Sequence, residues 1–182
     1  MKVLSVSTMC LLLLVAAQAG GQGSPYAGQE TRDIKALSVE DVSALLAGQG
    51  MGLAKAAELN GYPGPLHVLE NTTALKLSDD QKAQTMALFA SMQARAKETG
   101  KALVEEERRL DRAFGDRTIS REALVAALTR IGTLQAELRA IHLEAHLTQR
   151  QILTSDQTAA YIKLRGYESA VPHGSGDTGH RH

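Results

Sequence analysis

Between Leu124 and Ala145 apolar residues recur at Leu124, Ala127, Leu128, Ile131, Leu134, Leu138, Ile141 and Ala145. Steps of three and four draw one continuous stripe along a helix of ~3.6 residues per turn. The predicted helix runs from Arg121 to about Gln151 and needs a partner of similar length. The stretch from Asp79 to about Phe114 supplies one, interrupted only by Gly100, and "FGDRTIS" turns the chain between them. The pattern predicts an all-α fold built on an elongated antiparallel helical hairpin with flanking shorter helices. Alternating β-branched runs are scarce, so strands are not expected. With two Phe, four Tyr and no Trp, a bulky globular core is not expected either, and the prevalence of Ala, Leu, Glu, Gln, Lys and Arg suits long helices.

Shorter elements flank the hairpin. A helix is expected from Ser38, with Asp41 as its reciprocal cap, to Leu59, where "NGYPGP" ends it. Gly48, Gly50 and Gly52 weaken its middle; no strand precedes them and their spacing is wrong for a nucleotide-binding loop, so a bend or a close helix contact is the better reading. A short helix is expected from Pro65 to about Ala74, and a last one from Ser155 to Leu164, stopping at Gly166.

Residues 1–19 combine a basic start, the apolar run "LLLLVAA" and the small-residue box "AQA", which reads as a cleaved secretory signal and implies export. The run is too short to span a bilayer. Cys10, the single cysteine, falls within this segment, so disulfides cannot stabilise what remains. Residues 20–36 read as a flexible arm, 37–166 as the helical domain, and 167–182 as a flexible tail rich in His and Gly. Twenty basic and twenty acidic residues balance, so nothing in the charge suggests nucleic acid.

One five-residue phrase occurs twice, as "LSDDQ" at Leu77–Gln81 and "LTSDQ" at Leu153–Gln157. In each, a hydroxyl residue (Ser78, Thr154) precedes a glutamine (Gln81, Gln157) by three positions, the signature of a capping box at a helix start. Leu77 and Leu153 would point into the core and set the angle of entry. Taken together, with the signal-like start, the missing thiols and the helical body between, these phrases resemble the twin LTxxQ motifs of the Spy/CpxP family of bacterial periplasmic proteins. Leu77, Ser78 and Gln81 match the first motif with Ser in place of Thr, while Leu153, Thr154 and Gln157 match the second fully. The resemblance implies a hairpin that dimerises into a curved cradle in the periplasm. It also implies one of two activities. Spy-like members hold unfolded clients without ATP. ZraP- and CnrX-like members bind zinc, nickel, cobalt or copper in resistance or in concert with a sensor protein.

Site chemistry within the body is confined to "IHLEAHL". His142 and His146 lie one turn apart on the same side of a helix, near enough to share a divalent transition-metal ion. Glu144 faces elsewhere, so neither HExxH nor HxxEH is present and an enzyme has no supporting constellation. The opposing reading places His142 within the apolar stripe and His146 at its edge, each satisfied by a hydrogen bond. A metal would need further ligands, for which His67 is the candidate, with His173, His180 and His182 of the tail as accessory donors. Met51, Met86 and Met92 could serve Cu(I) but at helical spacing read as core. "EEERRLDR" permits pairs such as Glu105 with Arg109 on an exposed face. Arg95, Lys97, Lys101, Arg108 and Arg112 are the candidate client contacts, since a chaperone surface mixes basic and apolar patches.

Overall fold

The computed structural model describes residues 24–167. The signal-like segment with Cys10, and the tail with His173, His180 and His182, lie outside the described residues. The chain divides into two units, the second beginning at Thr31. In the first, residues 24–30 form turns in which the Ala27 N–H donates to the Ser24 carbonyl and the Gln29 N–H to that of Tyr26.

The second unit is all-helical among the described residues. Its elements are α1 (Val39–Ala47), α2 (Lys55–Glu58), α3 (Pro65–Glu70), α4 (Asp79–Gly115), α5 (Arg121–Ile152) and α6 (Ser155–Leu164). The hairpin is α4 against α5, 37 and 32 residues long. Its core holds Met92, Ala96, Leu103 and Val104 of α4 with Ile131, Leu138, Ile141 and Ala145 of α5, and Leu134 packs half-buried against them. The first part of the expected stripe departs from this, since Leu124 is only half-buried and Leu128 is exposed, near the turn where the two helices join. A second cluster, Val68, Leu75, Leu153 and Tyr161, lies beneath the starts of α4 and α6. No described helix is long and apolar enough to cross a membrane.

Three expectations need correction. The helix expected over 38–59 is two helices. Gly48 takes a left-handed conformation (φ 66°) and its N–H donates back to the Ala44 and Leu45 carbonyls, closing α1. Positive φ at Met51 and Gly52 then carries the chain through a loop before α2. The helix from Pro65 ends at Glu70 rather than Ala74, because turns lead on to Lys76 (φ 49°). The flexible arm expected over 20–36 gives way to packing by its end: Ile34 is 2 % exposed in the hairpin core, and Asp33 and Lys35 pair with Arg108 and Asp111 of α4. An apolar residue in a polar stretch set that docking, which composition averaged over the stretch hides.

Gly100 does not break α4. It lets α1 approach, since a Cβ there would overlap the Leu45 carbonyl. Gly48 makes the same approach one turn on, where a Cβ would stand 2.9 Å from the Gln93 carbonyl oxygen. In an isolated helix Gly100→Ala would stabilise by about 1 kcal/mol. Here overpacking outweighs propensity, and we expect Gly100→Ala to destabilise by about 1–3 kcal/mol. Urea unfolding midpoints measure the sign, and an increase in stability would mean that α1 does not seat on α4.

Candidate functional site

Two places in the structure join residues that are remote in sequence. The first is where the repeated phrases meet. Ser78 and Thr154 are the N-caps of α4 and α6, and both capping boxes are complete. Ser78 Oγ accepts from the Gln81 N–H at 3.2 Å while the Ser78 N–H donates to Gln81 Oε1 at 3.1 Å. Thr154 and Gln157 repeat this at 3.2 and 2.9 Å. The two glutamines then bond to each other. Gln81 Nε2 donates to Gln157 Oε1 at 2.8 Å, and Gln157 Nε2 to Gln81 Oε1 at 2.9 Å. The spare hydrogen of Gln81 goes to the Ile152 carbonyl at 2.9 Å, and that of Gln157 to the Leu75 and Lys76 carbonyls. Each amide thus uses two donors and two acceptor positions, the whole capacity of a glutamine side chain.

Beneath this clasp lies a thread of buried polar groups. Thr85 Oγ1 donates to the Gln81 carbonyl at 2.7 Å and accepts from Gln149 Nε2 at 3.2 Å. Thr85 and Gln149 are both fully buried, and Gln149 Oε1 has no partner. Leu153 is buried as expected and Leu77 packs half-buried against the same cluster. The sequence marks the two caps separately; their contact could have been suspected only from the recurrence of glutamine at the same cap position.

The second place is a cavity of about 660 Å³ lined by His67, His142 and His146 together with Glu58, Met51 and Met92. The loop after α1 and the start of α3 close over α5 here, so the three candidate histidines do share one space. Both α5 histidines are buried, at 4 and 9 % exposure. His146 Nδ1 donates to the Tyr62 carbonyl at 2.7 Å, and because a carbonyl only accepts, the lone pair of the neutral ring falls on Nε2. His67 is set the same way, its Nδ1 on Glu70 Oε2 at 2.8 Å. His142 Nε2 is buried without a partner. Burial, and then the proximity of His146, push the His142 pKa below the ordinary histidine value and favour its neutral ring.

Sequence reasoning missed the acidic member of this cavity. Glu58 Oε1 accepts from the Tyr161 hydroxyl at 2.6 Å and lies 3.4 Å from Arg165 Nε. Its Oε2 lies 3.7 Å from His146 Nδ1 and has no hydrogen bond. Burial first, and then the bond to Glu58, drive the Tyr161 hydroxyl pKa far above its usual value, so it remains a donor. No local motif signals this cluster, because α2 and α6 are far apart in the chain. Among the described residues no group of three or more His, Cys, Asp or Glu is gathered closely enough to hold a metal ion.

The candidate basic contacts are dispersed. Arg95 pairs with Glu144 at 3.2 Å. Arg108 is held by Asp33 and Glu105. Lys97 lies against Gly48, Lys101 lines a second groove beside Glu106, and Arg112 is exposed. The pair expected between Glu105 and Arg109 is not formed. Glu105 takes Arg108, and Arg109 joins Arg130 on the nearly buried Glu106, because Glu106 faces α5 and offers both oxygens.

Compared with known proteins, the chain matches no family model, no curated protein and no solved structure.

The clasp makes a prediction about coupling. Gln81→Ala or Gln157→Ala strands the other amide and opens one cap, and each is expected to cost about 2–3 kcal/mol. Since both remove the same reciprocal pair, the double variant should cost less than the sum by about 1 kcal/mol or more, read from a double-mutant cycle in urea. Additivity within about 0.3 kcal/mol would show that the two caps act independently.

Proposed function

We propose that this is a non-enzymatic periplasmic protein of the Spy/CpxP type that holds unfolded protein segments without ATP. The observation that carries the reading is the exposed apolar content of the hairpin. Met86, Phe114, Val125, Leu128 and Leu147 are all more than half exposed on helices that also bear charged residues. Such side chains offer dispersed weak sites for an extended apolar client, while the neighbouring charges keep the surface hydrated. The twin caps support it as well, since the motif on which the resemblance rests serves as a clasp that closes the open end of the hairpin. Pairing of two copies belongs to the same reading, because a second chain would cover part of this apolar face.

In light scattering, an excess of the protein without ATP should slow aggregation of a denatured client severalfold, and Val125→Ser with Leu128→Ser should remove most of that effect at unchanged melting temperature. Sedimentation of the same pair of proteins tests whether the two side chains also hold a dimer. Client aggregation at the same rate with and without the protein would overturn the reading.

A second reading, binding of a transition-metal ion in the manner of ZraP- or CnrX-like proteins, is favoured by a separate observation. His67 and His146 each have Nδ1 tied to an oxygen, so that in the neutral ring Nε2 is the nitrogen free to ligate, the arrangement in which metal-bound histidines are held by their outer partners. Calorimetric titration with zinc, nickel and copper is expected to show a site weakened by His142→Ala with His146→Ala; identical isotherms for the two proteins would overturn it.

A further inference from the structure

The cavity over α5 combines features that a divalent-ion site does not require. Zinc is ordinarily held by four ligands drawn from His, Cys, Asp and Glu, and no three such residues are gathered closely enough here. Two thioethers, those of Met51 and Met92, line the same space as His142 and His146. Thioether sulfur is a soft donor that suits Cu(I) better than the harder divalent ions.

We infer that the cavity is a site for a soft monovalent cation, Cu(I) or Ag(I), held by His142, His146 and the sulfurs of Met51 and Met92. This rests on the metal-binding reading above and specifies the class of ion.

Three observations carry it. His142 Nε2, on a side chain only 4 % exposed, has no partner; a buried polar atom is seldom left so unless something else satisfies it. Backbone stands close over the second ring: a Cβ on Gly64 would fall 3.0 Å from His146 Cε1, 3.1 Å from Nε2 and 3.5 Å from Glu58 Oε2. Only a residue without a Cβ fits so near that ring, which sets the cavity wall against His146 and Glu58. Third, Met51 holds a left-handed backbone (φ 46°) between Gly50 and Gly52, a conformation that costs energy for a side chain of this kind and tends to persist at ligand clamps. It places Met51 at the rim, 45 % exposed, while Met92 is 9 % exposed in the wall.

Charge argues the same way. His and Met are neutral ligands, and the single carboxylate at the cavity, Glu58, is already shared with Arg165. A monovalent ion leaves less uncompensated charge in this half-enclosed space than a divalent one. Binding forms dative bonds alone and leaves the oxidation state of the ion unchanged.

The test is X-ray absorption at the copper edge on the full-length protein loaded anaerobically with one equivalent of Cu(I), together with competition against a chromophoric Cu(I) chelator. The protein is loaded as its Cys10→Ser variant so that no thiol competes, and the tail adds no sulfur, because residues 168–182 contain neither Met nor Cys. A mixed nitrogen and sulfur shell is expected. Met51→Leu with Met92→Leu should abolish the sulfur shell and weaken Cu(I) by at least about tenfold, and Gly64→Ala should weaken it without removing a ligand. Met51→Leu alone alters only a rim side chain and serves where the double variant folds poorly, and Met86→Leu should change nothing. A nitrogen-only shell, or Cu(I) affinity unchanged in the methionine variants while His142→Ala still weakens zinc, would overturn this inference and leave the metal reading standing. Loss of no ion, Cu(I) or divalent, on His142→Ala with His146→Ala would overturn both.

Discussion

A reciprocal pair of amide hydrogen bonds between Gln81 and Gln157 ties the open end of the hairpin. At the other end the five residues after α4 turn the chain covalently into α5. At this end nothing covalent keeps the start of α4 beside the end of α5 and the start of α6. The two glutamines do so while also completing their own caps, so one group of atoms both begins two helices and sets them against each other. The Ile152, Leu75 and Lys76 carbonyls accept the remaining hydrogens, and Leu153 and Tyr161 fill the space beneath. Both amides are half-buried and use every donor and acceptor they have, so a change at either leaves the other short of a partner.

From that fixed end the rest of the second unit is built against one face of the hairpin by close backbone approach. Gly100 and Gly48 bring α1 down onto α4. Gly64 brings the start of α3 close over the His146 ring, and the loop at Gly50 lies in ordinary contact with His142. These approaches make the cavity: the chain after α1 cannot continue as a helix, because Gly48 reverses its hand, and so it crosses over His142 and His146. Glu58, at the end of the short α2, then meets Tyr161 of α6 and Arg165 just past the end of that helix. The motif clasp and the histidine cavity are therefore linked through α6, which begins at one and reaches the other.

The two proposed activities make different demands on this framework. Holding an unfolded segment calls for weak, dispersed apolar contacts, such as the exposed side chains of α4 and α5 provide. Binding an ion would call instead on a few fixed donors, those of the buried α5 turn and of the loop at Met51 that line the cavity. They use different surfaces of the molecule, so one does not preclude the other.

The hairpin and the two caps were legible in the sequence because both depend on residues three or four apart: the stripe from Leu124 to Ala145, and hydroxyl to glutamine in each box. Helix ends at Ser78, Ser120 and Thr154 are decided by the same local hydrogen bonds. The division of the first expected helix was half legible, since glycines announced a weakness without saying whether the chain would bend or merely pack closely there. What the local pattern cannot carry is partnership across the chain. Gln81 meeting Gln157, Gly100 receiving Leu45, Ile34 entering the hairpin core and Glu58 joining Tyr161 and His146 all bring together residues dozens of positions apart. Periodicity along a helix states which face is apolar, whereas the partner for that face is chosen by the packing of every element at once. The sequence alone therefore determined an all-α hairpin with capped ends. Tertiary packing decided that the caps clasp each other and that three histidines share one cavity with a carboxylate and two thioethers.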